Sequence, residues 1–418
     1  MTKNQRLPGA GTTYDSIHLV DGVRTGFGEM NGALRENSAT DLGIAASRRL
    51  FEHAALPAED VDIVVGASLA HTDFDSYYLP RHIGLYSGVR QEVPAIFIHR
   101  ICGSGFDTLA HAADSITLGK ASVALCVGAE SMSRNPVASF TSRGGFRLGQ
   151  VDFRDFLWEA LTDPAPGIGM ANTAENLADR YQITRDDVDL YAERSFAAAQ
   201  AAKDAGFFDD EIMPVRTETF ELDGYNKRKF RLPRKMETFA ADEHARPASL
   251  DSLKKLPPVF GGVQTAGNSS GIVDGAAAAI VATSAYVRES GRQPLARIVA
   301  SAAVGVPPEI MGIGPAPAIR KLLDLAGLDL ADIDRFEINE AFGAQYIAVE
   351  RELGLDRDKV NVNGGAIAIG HPLAATGLRC TITLARELKR RGLRYGVSSA
   401  CCGGGQGAAL LIENPEAG

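Results

Sequence analysis

Two thiols and an imidazole, drawn from widely separated parts of the chain, have the residue types that covalent group transfer requires. Cys102 stands in Arg100-Ile101-Cys102-Gly103-Ser104-Gly105, between the apolar run 95–98 and a helix-like stretch from 106 to 118. Cys401 stands in Ser399-Ala400-Cys401-Cys402-Gly403-Gly404-Gly405, directly after the strand-like stretch 395–398. His371 lies between them in Gly370-His371-Pro372. A thiol leading a helix gains thiolate character, because the unpaired N–H groups and the dipole there favour negative charge. Two such thiols with a histidine predict covalent catalysis, one group carrying the transferred fragment and one moving a proton.

The elements that must bring these groups together are written into an internal repeat. Leu50, Ala54, Leu56, Asp60 and Asp62 match Leu322, Ala326, Leu328, Asp332 and Asp334 at a constant shift of 272 positions (Asp60 to Asp332). Each segment reads as a helix that ends in a short loop and runs into a strand. The same shift carries Cys102 to position 374, three residues from His371, and lays 123–127 on 395–399. Helices alternating with short apolar strands predict an α/β fold with a mostly parallel sheet. A duplicated unit of this kind would gather its active loops in one crevice beyond the carboxyl ends of the strands.

Between the halves the character changes. The stretch 133–149 carries arginine, glycine and serine and reads as a long loop. Residues 172–181 and 186–205 read as amphipathic helices, the second capped by Thr184 with Asp187. Val188, Tyr191, Ala192, Ser195, Ala198 and Ala199 then share its buried face. Residues 218–233 are polar and β-like, and the whole excursion suits a substrate lid.

With 418 residues and 45% hydrophobic content the chain can bury a large core. The net charge of −9 argues against a nucleic-acid surface, and no apolar run reaches the roughly 18 residues needed to span a bilayer. The polar start lacks the apolar core of a secretion signal, and the end is not a peroxisomal address. Five cysteines, an odd number in a long chain, point to a reducing cytoplasm rather than a disulfide framework.

Taken in order, several motifs resemble the thiolases, acyl-CoA C-acyltransferases. They include Asp21-Gly22-Val23-Arg24-Thr25, Cys102-Gly103-Ser104-Gly105, Gly128-Ala129-Glu130-Ser131-Met132-Ser133 and Thr173-Ala174-Glu175-Asn176. Thr265-Ala266-Gly267-Asn268-Ser269-Ser270-Gly271, Asn339-Glu340-Ala341-Phe342, the run from Asn363 to Pro372 and Cys401-Cys402-Gly403-Gly404-Gly405 complete the set. The resemblance implies two duplicated halves in a five-layered α/β/α/β/α core with an inserted loop domain. On that pattern residues 1–130 begin the N-terminal half, 131–246 form the inserted loop domain, 247–290 return to the first half and 291–418 make the C-terminal half.

The resemblance also implies roles. Cys102 accepts the acyl group, His371 takes its proton, and Cys401 is the acid/base, with Cys402 filling a variable place. The N–H groups of Cys102 and Gly403 bind one oxyanion; His371 and a water held by Asn339 bind the other. Ser270 contacts pantetheine, Met170, Met311 and Phe342 line the thioester end, and Arg246 lies near the adenine. Coenzyme A and acyl-CoA thioesters are substrates, with no tightly bound cofactor and no metal. The assembly implied is a homodimer, or a homotetramer joined through 133–149. Cys126 and Cys380 read as core residues.

Two departures bear on substrate. Gly169 takes the place of a histidine common in short-chain thiolases, and Ala374-Ala375-Thr376-Gly377 is similar to thiolases of fatty-acid β-oxidation. The rival readings are a ketoacyl synthase, which usually has histidine or asparagine where Cys401 stands, and a non-catalytic acyl-CoA or lipid carrier. A carrier is expected to lose one of Cys102, His371 and Cys401.

Overall fold

The computed structural model describes residues 7–417. Its strands include β1 (Ala10–Arg24), β2 (Ile63–Ala67), β3 (Ala95–Phe97), β4 (Val123–Glu130), β5 (Val273–Thr283), β6 (Ala296–Gly305), β7 (Arg335–Ile338), β8 (Tyr395–Cys402) and β9 (Gln406–Glu413). They form a ten-stranded sheet in the order β7-β8-β9-β6-β1-β5-β4-β2-β3, with the short strand Gly28–Glu29 beside β5. The repeat is real in three dimensions. β2 and β7 begin at 63 and 335, and β4 and β8 at 123 and 395, the same 272-residue shift. These two strand pairs repeat at one shift, and the antiparallel pairing of β1 with β6 joins the halves into one continuous sheet.

The sheet is mixed rather than mostly parallel. Only β2·β3, β2·β4 and β7·β8 are parallel. β8 and β9 are antiparallel because the glycine turn between them, with Gly404 at φ 78° and Gly405 at φ 81°, reverses the chain at once. A parallel neighbour would need a crossover of a dozen or more residues.

The helices that matter for layering are α1 (Ala39–His53), α2 (Ser104–Thr117), α3 (Phe156–Ala160), α4 (Met170–Tyr181), α5 (Arg185–Asp204), α6 (Pro315–Ala326), α7 (Gly343–Leu353), α8 (Ala366–Ile369) and α9 (Leu373–Arg391). Alternation along the strands places them. On β5, Ala276, Ala278, Ile280 and Ala282 face the α1 side, whereas Ala277, Ala279 and Val281 face α2 and α9. On β9, Ala408, Leu410 and Ile412 face the same central helices, whereas Ala409 and Leu411 face α6. The order is α1, sheet, α2 with α9, sheet, α6: five layers. Because both faces are covered, β4 reads Val-Ala-Leu-Cys-Val-Gly-Ala-Glu and is buried throughout.

The central helix pair crosses at glycines near its N-termini. A Cβ on Gly105 would lie 2.7 Å from the carbonyl of Ala374, and one on Gly377 2.3 Å from the N–H of Phe106. This contact draws the start of α2, just after Cys102, against the start of α9, just after His371.

Between β4 and β5 the chain leaves the sheet for a long excursion, which includes the residues 131–246 read as the inserted loop domain. Thr184 and Asp187 make the expected reciprocal cap on α5. Its buried face is as read, except that Ala198 is only half-buried and Phe196 is buried in the same row. Residues 218–220 and 228–230 pair as a hairpin. No helix among the described residues is long and apolar enough to cross a membrane.

Candidate active site

Cys102 sits in a tight turn closed by the Gly103 N–H donating to the Arg100 carbonyl, 2.9 Å. Ile101, in the middle of that turn, has φ 48°, a left-handed conformation that is costly for a β-branched residue. Ser104 locks it, its hydroxyl donating to the Ile101 carbonyl and accepting from the Arg100 N–H. The strained turn lifts Cys102 off the end of β3 into a small apolar cluster with Met132, Leu157 and Leu373, edged by Leu69, Ile101 and Leu161. Sequence reading missed this strain, because isoleucine carries no signal for positive φ.

Cys401 is the penultimate residue of β8 and faces away from Cys402. It clusters with Met170, Met311 and Ala341, edged by Leu161 and Phe342. Cys402 instead joins the core against α2 and α9, where its sulfur would lie 2.6 Å from a Cβ on Gly103. The two thiol clusters meet at Leu161, which borders both. Gly403 follows in the glycine turn, its N–H near enough to the Cys102 sulfur to favour the thiolate.

His371 follows Gly370, whose φ of 97° turns the chain out of α8. The His371 N–H donates to the Gly271 carbonyl, 3.0 Å. Its Nδ1 lies 2.6 Å from the Thr376 hydroxyl and its Nε2 3.3 Å from Nδ2 of Asn339. An amide nitrogen only donates, so Nε2 is the acceptor and the ring proton sits on Nδ1. Asn339 follows β7 and is held by its N–H on the Ser399 carbonyl, 2.9 Å. Its Oδ1 is buried and has no partner.

Glu130, at the end of β4, accepts from the N–H groups of Leu69, Ala70 and Ala374 and from the Ser68 hydroxyl. It thus ties together three segments that carry Leu69, Met132 and Leu373 around Cys102. Burial pushes its carboxyl up to about 7 against those hydrogen bonds. Its motif is visible in the sequence; its partners are not.

The electrostatics reverse one expectation. Burial pushes the Cys102 thiol up to about 12, outweighing the Gly403 N–H that favours the thiolate; the Glu130 charge adds to the rise. Burial likewise raises Cys401, with a further push from Cys102. His371 is lowered to about 3 by burial and then by the Arg379 charge. A helix N-terminus does not make a thiolate where water is excluded. At neutral pH these shifts keep both thiols and the imidazole neutral.

Leu161 thus joins the Cys102 cluster to that of Cys401, Met170, Met311 and Phe342, and Asn339 holds His371 two residues before the Leu373 that packs in the Cys102 cluster. Ser270 adjoins the second group, its N–H on the Ala341 carbonyl at 3.1 Å. Arg246 is not part of either cluster; it is exposed, paired with Glu29 at 3.2 Å. Thr376 and Leu161 carry no role in the sequence reading, yet they hold the imidazole and join the clusters. A separate groove of about 550 Å³ lies along the far face of α2, lined by Tyr14, Asp107, His111 and Asp114, and holds none of the reactive groups.

Residues 17–285 match the thiolase N-terminal domain and residues 292–414 the thiolase C-terminal domain. The chain belongs to the thiolase family. It is 45% identical to the human mitochondrial 3-ketoacyl-CoA thiolase over 402 residues, covering 95% of this chain and 98% of that protein. It is 41% identical to the beta-ketothiolase BktB of Cupriavidus necator, with the same coverage. The crystal structure of the human mitochondrial enzyme in complex with CoA superimposes with a TM-score of 0.90 at 44% identity, covering 96% of this chain and 99% of that one. In this thiolase the five layers and the two reactive-loop sets therefore sit on a shared framework.

Proposed function

We propose that the chain transfers an acyl group between 3-oxoacyl-CoA or acetyl-CoA and coenzyme A through an acyl-Cys102 intermediate. The observation that carries this reading is the meeting of the Cys102 and Cys401 clusters at Leu161. In thiolysis, Cys102 gives its proton to Nε2 of His371 and its sulfur attacks C3 of the 3-oxoacyl group. The C2–C3 bond breaks, the electron pair goes to C2, and Cys401 protonates it to release acetyl-CoA. Incoming coenzyme A gives its thiol proton to Cys401 and attacks the acyl carbon. Cys102 leaves and recovers its proton from His371. The N–H groups of Cys102 and Gly403 stabilise one oxyanion; Nε2–H of His371 and a water on Oδ1 of Asn339 stabilise the other. Ser270, Met170, Met311, Phe342 and Arg246 are assigned to the coenzyme A path.

Burial of both thiols supports this order of events, since charge forms only when a substrate is present to take it up. Mixing with acetyl-CoA is expected to leave an acetyl adduct on Cys102 by mass spectrometry. Its absence would support the non-catalytic carrier. The retained Cys401 weighs against a ketoacyl synthase.

Acyl groups longer than acetyl are the proposed substrates. A Cβ on Gly169 would stand 3.4 Å from Asn172 Oδ1 and 3.7 Å from the Leu161 carbonyl, so the glycine leaves room for at least that carbon beside the residue that borders both thiol clusters. Together with the mitochondrial 3-ketoacyl-CoA thiolases among the relatives, this favours degradative work in fatty-acid β-oxidation. A thiolysis series of increasing chain length decides it: a rate confined to acetoacetyl-CoA overturns the reading. A homodimer or homotetramer is proposed on the open edge of β3, with Ile96 exposed, and on the exposed Val137, Phe140 and Leu148 of the loop. Cytoplasmic residence is proposed from five free, buried cysteines.

A further inference from the structure

Glu340 lies next to Asn339 but faces away from the thiols, and nothing in the proposed chemistry uses it. It is fully buried, and four donors converge on its carboxylate. Tyr191 Oη and Ser195 Oγ, both on α5, donate at 2.6 and 2.7 Å. Asn361 Nδ2 donates at 2.9 Å and the N–H of Ile367, in α8, at 3.1 Å. The donors are themselves fixed: Tyr191 accepts from Asn361 at 3.2 Å, and Ser195 accepts from the Gly365 N–H at 3.2 Å. Gly365 leaves no room for anything else, since a Cβ there would fall 2.2 Å from the Glu340 carboxyl carbon.

The covalent neighbours give the cluster its significance. Ile367 is four residues before His371, within the turn that presents the imidazole, and Asn339 is the residue before Glu340. We propose that Glu340 is a positioning residue for the thiolase reaction: it clamps the Asn339 strand end to the α8 turn and so sets the Asn339–His371 pair. Through Tyr191 and Ser195 it also ties that pair to the inserted excursion. Four donors match the acceptor capacity of an ionised carboxylate, and no neutral side chain of that length can receive all four.

This inference rests on the roles proposed for His371 and Asn339, and the experiment separates the two. In full-length wild-type protein, acetylation of Cys102 by acetyl-CoA tests the reaction itself; its absence would sink the thiolase reading, not this one alone. Given that adduct, Glu340→Ala is expected to lower kcat for thiolysis by about a hundredfold with KM for coenzyme A changed by less than about threefold. Cys102 acetylation should slow in step. Glu340→Gln, which keeps the shape and one acceptor oxygen, should recover at least about tenfold of the loss. A folded Glu340→Ala with kcat within about threefold of wild type overturns the proposal, as does Glu340→Gln no faster than Glu340→Ala. If the alanine variant does not fold, Ser195→Ala decides. A kcat lowered about five- to tenfold per folded molecule supports the clamp; an unchanged kcat with a lowered melting temperature makes the cluster merely structural.

Discussion

Nδ2 of Asn339 lies 3.3 Å from Nε2 of His371, while the Oδ1 of the same amide is buried without a partner. One end of the side chain holds the imidazole, and the other is available to the water proposed at the reacting centre. Replacing Asn339 by Ala is expected to lower kcat for thiolysis by about 10²–10³-fold while leaving Cys102 open to slow acetylation. Steady-state kinetics check this; a loss under tenfold would remove Asn339 from the oxyanion site.

The other ring nitrogen depends on Thr376, whose hydroxyl lies 2.6 Å from Nδ1. Thr376→Val keeps the shape and leaves the Nδ1–H buried without an acceptor. A stability loss of about 1–3 kcal/mol and a kcat loss of about ten- to a hundredfold are expected. Urea unfolding alongside kinetics tests both, and Thr376→Ser, which restores the hydroxyl, should regain most of the rate.

The two thiols divide the work. Cys401→Ala leaves Cys102, His371 and the Gly403 N–H in place, so acetyl-CoA should still acetylate Cys102. Turnover should fall by at least about 10³-fold, because nothing remains to shuttle the proton at C2. Mass spectrometry beside a thiolysis assay separates the steps. Normal turnover in Cys401→Ala would shift the acid/base role elsewhere.

Stability should carry the signature of the buried imidazole. His371 has a folded-state pKa of about 3 against an ordinary 6.5, so between those values the unfolded chain binds a proton that the folded chain does not. Its contribution is fully present above pH 6.5 and is lost as pH falls through that window, by about 2 kcal/mol at pH 5. The stability difference between wild type and His371→Asn should therefore shrink by about that amount from pH 7 to pH 5 in urea titrations. A difference that does not vary with pH would mean the ring is not held neutral.

Much of this protein could be read along the chain. The repeat of Leu50–Asp62 at Leu322–Asp334 is local helix and turn chemistry written twice, and it fixed the strand starts to the residue. The cap of α5 by Thr184 and Asp187 and the glycine turn after Cys401 are likewise short-range, so their residue types announce them. Residue type and motif context also singled out Cys102, His371 and Cys401, whereas Asn339 came only from the resemblance to the thiolases.

Only the fold decided the rest. Strand direction after Cys402, the opposite facing of Cys401 and Cys402, the left-handed Ile101 and the four donors around Glu340 all depend on neighbours distant in sequence. The charge state of the site depends on the fold too. A helix N-terminus favours a thiolate locally, but exclusion of water by Met132, Leu157 and Leu373 outweighs it, and desolvation is a property of everything that surrounds a sulfur rather than of the residues beside it.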